Sequence, residues 1–389
     1  MNLKMRALFG ALALFVSLVS FVGATSDETT LSVMSRNQYL GGDLLTVATA
    51  PDVPTFLAAA RAVLTDIAIS NFPERAQAFA REIAERRPDI IGLQEVFNFK
   101  LNGLNGAPPF VDQLDATLDA LAAVGLNYIV VASVQNFDAT VPVDLDGDGI
   151  PESLVDVTDR DVILARADLA GVTPVPLSSF CPRPSADGGP GCNYSTFLTV
   201  NLPVGQIQFH RGFVAVDVNV QGTVYRVVNT HLEVENLDPS NPLSPLIQSA
   251  QATELKSVLE AISAGTRLIV VGDINSTSED PLFPDPEVGP FVRPYQQLAE
   301  GVNLVGTPTA GGPYGDTWIL RPGAPAGYTC CEPDLFSSVF NVHERKDVVF
   351  SRSLPGGVKA NVFGHEPESK TSSGLWPSDH AGLFVRFRF

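Results

Sequence analysis

Cations are scarce in this chain. Its 389 residues carry 25 Lys and Arg against 43 Asp and Glu, a formal net charge of −18. Such a field repels nucleic acid at long range and makes sequence-independent phosphate contacts costly, unless a local basic patch or bound metal ions override it. Beyond the first two dozen residues there is no uninterrupted run of 18 apolar residues, so no later membrane span is expected. Internal repeats, low-complexity tracts and linkers are also missing, and no His/Cys cluster has zinc-ligand spacing. With 45% hydrophobic residues, 30 Pro and 32 Gly, the chain can bury a large core and bends often. That composition excludes disorder, collagen and a coiled coil.

The N-terminus differs from the rest. Lys4 and Arg6 precede an apolar stretch from Ala7 to Val22, and Val22-Gly23-Ala24 suits a small-residue cleavage site. A secretory signal over residues 1–24, cut near Ala24, is expected, giving a secreted or periplasmic chain; an uncleaved anchor is the alternative. Cleavage removes two cations and takes the charge from −18 to −20. Only four cysteines are present. Cys181 and Cys192 flank a Pro- and Gly-rich loop of ten residues, which closes easily, so these two are expected to form a disulfide after export. Cys330 and Cys331 are adjacent and lack the CxxC spacing of a zinc or redox site. A vicinal bridge, partners elsewhere and two free thiols all remain open for them.

Apolar periodicity predicts helices over 55–70, 74–87, 111–125 and 245–264. Strands are expected in TTLSVMSRNQYL, DIIGLQEV, YIVVASVQ, RDVILAR, STFLTVNL, RGFVAVDVNV, TVYRVVNTHLE, RLIVVGDIN, KDVVFSR, VKANVFG and AGLFVRFRF, with a hairpin at Gln221-Gly222. Four of these strands end in a polar residue: Asn37, Glu95, His231 and Asp273. In layered α/β folds the ends of central strands gather on one edge of the sheet, so these four can meet around one cavity.

The chemistry suggested there is oxygen-rich. GDIN supplies Asp273 and, two residues on, Asn275 where an apolar strand leaves the core. Glu95 emerges from so apolar a run that it needs a metal, a cation or water nearby. One carboxylate with the amide of Asn37 leaves most of an octahedral shell to water and substrate, the usual state of Mg²⁺. His231 and His380 sit at strand edges, and Asp379 adjoins the latter. A separate stretch, VDLDGDGIPES, places Asp144, Asp146 and Asp148 at alternating positions before Gly149, like the opening of a calcium loop. Its twelfth position is Val155 rather than Glu, so Glu152 or Asp156 would have to substitute in any structural Ca²⁺ site.

Taken in order, NQY, QEV, NTHLE, GDIN, RKD and SDH resemble the motifs of the endonuclease/exonuclease/phosphatase superfamily, which includes deoxyribonuclease-I-like nucleases and neutral sphingomyelinases. The resemblance spans Asn37 to His380. It implies an α/β fold, a four-layer α/β/β/α sandwich of two packed mixed β-sheets with outer helices, forming a single catalytic domain over 30–389. It also implies that Asn37, Glu95 and Asp379 form the metal side for Mg²⁺ or Mn²⁺. Asp273 and Asn275 would then hold the attacking water and the phosphate, Asp347 would orient His380, and His231 would be the second histidine of the diester-cleaving branch. Asp161 is a candidate to orient His231, and Arg211 to contact phosphate. The SRNQY context and RKD depart from the WNV or WNI and RID more usual in the nuclease branch, without removing a catalytic group. The expected activity is phosphodiester hydrolysis on nucleic acid or a phospholipid headgroup by a monomer with no obligate protein partner. A monoesterase of small organic phosphates and a binding module without turnover are the alternatives.

Overall fold

The computed structural model describes residues 30–102, 111–181, 183–235, 243–263, 266–284, 289–320, 323, 325–352 and 356–389. The expected signal over 1–24 lies outside the described residues. The rest is built on two eight-stranded sheets. The first runs Gly357–Phe363, Gly382–Arg388, Thr30–Asn37, Ile90–Gln94, Ser153–Arg166, Asn98–Asn102 and Val111–Asp112, with Tyr128–Val143 also paired to Ser153–Arg166. The second runs Gly315–Asp316, Asp347–Arg352, Arg267–Asp273, Thr223–His231, Gly212–Val220, Cys192–Asn193 and Arg183–Pro184, with Val172–Pro174 on Gly212–Val220. Each sheet has one parallel pair, Thr30–Asn37 with Ile90–Gln94 and Thr223–His231 with Arg267–Asp273. Both sheets are therefore mixed.

Side-chain alternation along the strands decides the layers. Leu31 and Val33 enter the core between the sheets, while Met34 faces outward. On the other side Ile269 and Val271 face inward, and Leu268 and Val270 outward. Buried on both faces, such strands read as continuous apolar runs. Helices Phe72–Arg86 and Gln113–Ala123 cover the first sheet through Phe79, Ile83 and Leu121. Leu243–Ile262 covers the second through Leu255 and Leu259. The result is the expected α/β/β/α sandwich.

Most element expectations hold, with instructive differences at the edges. The helix expected from residue 111 begins at Gln113, because Val111 and Asp112 pair with Phe99 and Asn98 as a short strand. The Asp112 carboxylate then caps the helix by accepting from Leu114 N–H at 2.9 Å. Tyr128–Val143 and Ser153–Arg166 extend well beyond their apolar cores as one long hairpin, since each satisfies the other's backbone. Gln221 and Gly222 turn with φ of 49° and 84°, the left-handed pair a two-residue hairpin requires. Cys181 and Cys192 are bonded, with Cα atoms 5.6 Å apart, inside the usual range. Cys330 is joined to Cys331, one of the three states left open by the sequence.

Candidate active site

Three strands of the second sheet place one rung of polar residues at the edge of the core. His231 is the register partner of Asp273, and Asp273 that of Asp347. Side chains on one rung share a face. The parity that sends Val227, Val271 and Val349 between the sheets sends these three there too. From the facing sheet, Asn37 ends its strand opposite Gln94, and Glu95 follows. Asp379 and His380 lie just before the strand Gly382–Arg388.

The groups interlock. Asn37 Nδ2 donates to Glu95 Oε1 at 3.1 Å and to Asp273 Oδ2 at 3.2 Å. That same Asp273 oxygen stands 3.7 Å from Nε2 of both His231 and His380. His380 Nδ1 lies 2.8 Å from Asp347 Oδ2. Asp273 Oδ1 accepts from Asn275 N–H at 2.9 Å, and the Asn275 amide reaches His231 Nε2 at 3.1 Å. Glu95 and Asn275 are non-glycine residues in the left-handed region, at φ of 54° and 49°. Such backbone costs about 1–3 kcal/mol and persists where the surroundings over-determine it. In GDIN, a Cβ at Gly272 would lie 2.0 Å from Thr230 O, so only glycine lets the Asp273 strand approach its parallel neighbour there.

Burial and charge set the two histidines apart. Burial works against a charged His380, yet the carboxylates of Asp347, Asp379 and Asp273 push its pKa up to about 10. Burial, with the Arg211 and His380 charges, holds His231 well below the ordinary histidine value. At neutral pH the site thus contains one imidazolium and one neutral imidazole. Burial, reinforced by Glu95 and opposed by His380, lifts the Asp379 carboxyl to about 7. Burial also raises Asp273. Glu95 and Asp379 offer carboxylate oxygens suited to a hard divalent cation, while Asn37 turns Nδ2 toward Glu95 and accepts from Tyr39 N–H on Oδ1 at 2.8 Å.

Two sequence candidates are placed differently from expectation. Asp161 is fully buried, but neither of its carboxylate oxygens has a hydrogen-bond partner among the described residues. It makes no bond to His231. The neighbour of the ring is Arg211, whose guanidinium lies 3.1 Å from His231 Nδ1. The reason is register: Gly212 pairs with His231, so the preceding Arg211 reaches the ring. Glu233 and Asp159 hold the guanidinium at 3.4 and 3.7 Å. In the acidic loop, Asp144, Asp146 and Glu152 each bring a carboxylate oxygen within 4.8 Å of the others. Asp148 is outside that group and accepts from Ile150 N–H at 2.8 Å.

Supporting residues were harder to find from sequence. Buried Arg75 donates to the carbonyls of Gln38, Pro377 and Tyr39 at 2.8, 3.0 and 3.1 Å, tying the turn after Asn37 to the loop before His380. Arg36 pairs with Glu82 and donates to His380 O. Ser378 Oγ donates to Asn37 O at 2.9 Å and accepts from His380 N–H at 3.1 Å. The one available signal was a charged residue inside an otherwise apolar helix face or strand.

With this geometry in view, the chain belongs to the Endonuclease/Exonuclease/phosphatase family, whose profile matches residues 68–380. Members of that family generally hydrolyse phosphoester bonds and typically depend on a divalent metal. Among solved structures, an endonuclease/exonuclease/phosphatase family protein from Leptotrichia buccalis is 15% identical, with a TM-score of 0.50 over 92% of this chain and 100% of that one. It shows the same fold. A family member from Bacteroides thetaiotaomicron is 15% identical, with a TM-score of 0.47, 93% of this chain and 98% of that one. D. rerio TDP2, complexed with single strand DNA product, is 16% identical, with a TM-score of 0.46, 92% of this chain and 99% of that one. No curated protein sequence matches the chain.

Proposed function

We propose that this chain is an exported, monomeric, Mg²⁺-dependent phosphodiesterase, with residues 30–389 acting as one catalytic unit. Water attacks the phosphorus in line with the leaving oxygen. The observation that carries this reading is the single Asp273 oxygen shared, at 3.7 Å each, by Nε2 of His231 and His380. A diester phosphate needs charge stabilisation on its equatorial oxygens, a proton acceptor for water and a proton donor for the leaving group. Asn37, Glu95 and Asp379 would hold the ion, whose charge, when bound, offsets that developing on phosphoryl oxygen. Asp273, made more basic by burial, takes the water proton while Asn275 positions the nucleophile. His380, kept cationic by Asp347, donates to the leaving oxygen. Arg211 and the Asn275 amide flank the two ring nitrogens of neutral His231, which stands beside Asp273 to meet a phosphoryl oxygen.

A nucleic-acid strand is the preferred substrate. The two tryptophans of the chain, Trp318 and Trp376, are only 4% and 0% exposed, and burial removes both from any lipid interface. The Asp144–Asp146–Glu152 oxygens support a structural Ca²⁺ that stiffens the long hairpin and takes no part in turnover.

The test is Mg²⁺-dependent hydrolysis of duplex DNA, single-stranded nucleic acid, sphingomyelin and a generic monoester, with and without chelator. Asp273→Ala and His231→Ala are each expected to lose about 10²–10⁴-fold in rate on the preferred diester. Full activity in Asp273→Ala would overturn the assignment. Activity on sphingomyelin alone would move the substrate to phospholipid headgroups, and a monoester preference would move the class.

A further inference from the structure

Cys330 and Cys331 lie between the segment leading into the Asp347 strand and the loop that carries His380. Backbone bonds pin them from both sides: Cys330 N–H donates to Glu344 O at 2.9 Å, Glu332 N–H to Asp379 O at 2.8 Å and Ala381 N–H to Thr329 O at 2.8 Å. Cys330 is buried and Cys331 is exposed, so the pair is open to solvent reagents on one side. Cys331 Sγ stands 3.6 Å from His380 Nε2. One ligand atom from each of Cys330, Cys331 and His380 lies within 4.8 Å of the other two. Two sulfurs about 2.3 Å and a nitrogen about 2.0–2.1 Å from one tetrahedral ion are themselves roughly 3.5–3.8 Å apart. Cys331 and His380 already stand at that spacing, whereas the two sulfurs, about 2.05 Å apart in a disulfide, must part by roughly 1.7 Å once the bond is reduced.

The other side of the imidazole fits the same role. His380 Nδ1 is 2.8 Å from Asp347 Oδ2, the outer carboxylate that commonly orients a histidine binding metal through Nε2. The donors are soft, two sulfurs and an imidazole, in contrast to the oxygen donors of Asn37, Glu95 and Asp379.

We propose that reduction of the Cys330–Cys331 bond creates a second metal site, in which Zn²⁺ is held by both thiolates and His380 Nε2 with solvent at the fourth position. Zinc there silences the catalytic centre, because it occupies the nitrogen that faces Asp273. In the reducing step, a water-soluble phosphine becomes its phosphine oxide. Water supplies the oxygen and two protons, the S–S bond breaks, and two thiols form. Zinc binding then releases both thiol protons and the Nε2 proton of His380 to solvent.

The experiment titrates Zn²⁺ alone into the mature chain against a chromophoric chelator, before and after phosphine treatment, with Cd²⁺ as a spectroscopic substitute. Reduced protein is expected to bind one ion at least tenfold more tightly than oxidised protein, and to show thiolate-to-cadmium absorption in the near ultraviolet. Reduced Cys331→Ser and Cys331→Ala, altered at an exposed position, fall to the oxidised level and lose the absorption. Equal zinc affinity in oxidised, reduced and variant proteins would sink the proposal, as would cadmium binding without a thiolate band. These readouts stand even if the hydrolytic assignment fails. Where hydrolysis is measurable, zinc lowers the rate at least tenfold at saturating Mg²⁺ in reduced wild type and not in reduced Cys331→Ser. Zinc bound with its thiolate band but without loss of rate would overturn the silencing role.

Discussion

Asp347 Oδ2 lies 2.8 Å from Nδ1 of His380, and neither side chain is more than marginally exposed. The pair joins a strand of the second sheet to the loop before the last strand of the first, so it links the two sheets at the point where the site opens. Replacing Asp347 by Asn keeps the shape and removes the charge that favours the imidazolium. Diester hydrolysis is expected to fall about 10²–10⁴-fold, with the alkaline limb of the pH–rate profile moving to lower pH. An unchanged limb would mean that His380 is not the group it reports.

The same pair predicts a stability profile. His380 has a folded-state pKa of about 10 against an ordinary value of 6.5, so its stabilising contribution is fully present below the unfolded value. It is lost as pH rises through about 10. Urea midpoints measured from neutral to alkaline pH should decline in the wild type, and decline less in Asp347→Asn.

Asp379 gives the same sign of pH dependence in a lower window. Its folded pKa is raised from 3.8 to about 7, so between these values the folded state binds more protons than the unfolded one. Metal-free stability should therefore fall as pH rises through that window. Asp379→Asn should flatten the decline and make the metal-free protein more stable near neutrality, while weakening its stabilisation by added Mg²⁺. Thermal melts in chelator and in Mg²⁺ across that range check both halves.

Gly272→Ala should destabilise by about 2–4 kcal/mol. Its Cβ would meet a backbone oxygen of the neighbouring strand at 2.0 Å, and that atom cannot rotate away. Chemical denaturation reads the loss directly; a shift under about 1 kcal/mol would mean that the two strands separate easily there.

Calcium added to chelated protein should raise the melting temperature through the Asp144 loop. Asp144 already accepts from Gly147 and Gly149 N–H at 2.7 and 2.8 Å, so the loop is ordered around that carboxylate. Asp144→Ala should abolish the calcium response and leave the Mg²⁺ response in place. A calcium shift of equal size in the variant would locate the ion elsewhere.

Much of the site was legible because apolar strands that end in a polar residue are conspicuous. Asn37, Glu95, His231 and Asp273 all stand at or just beyond the end of an apolar strand, whereas Asp347 opens one. Asp161 shows where that reasoning stops. Its position two residues from buried Ile163 told which face it would occupy, but not that Arg211 would take the place beside His231. Arg36 and Arg75 were missed for a related reason: each satisfies carbonyls that are distant in sequence, and no local pattern announces such partners.

The sequence by itself determined the layers and which polar residues end the apolar strands, whereas strand pairing set the rung of His231, Asp273 and Asp347. Alternation along each strand dictates which side chains enter the gap between sheets, and the ordered motifs identify the residues that arrive there. Only the tertiary structure decided the charge states and the neighbours. His231 and His380 are the same residue type at similar strand edges, yet one lies against a guanidinium and the other among three carboxylates. The same folding that separates their pKa values carries Cys331 to within 3.6 Å of His380, a contact across 49 residues of chain. Local sequence fixes which face a side chain occupies, whereas a pKa or a ligand set depends on charges and donors brought close by packing.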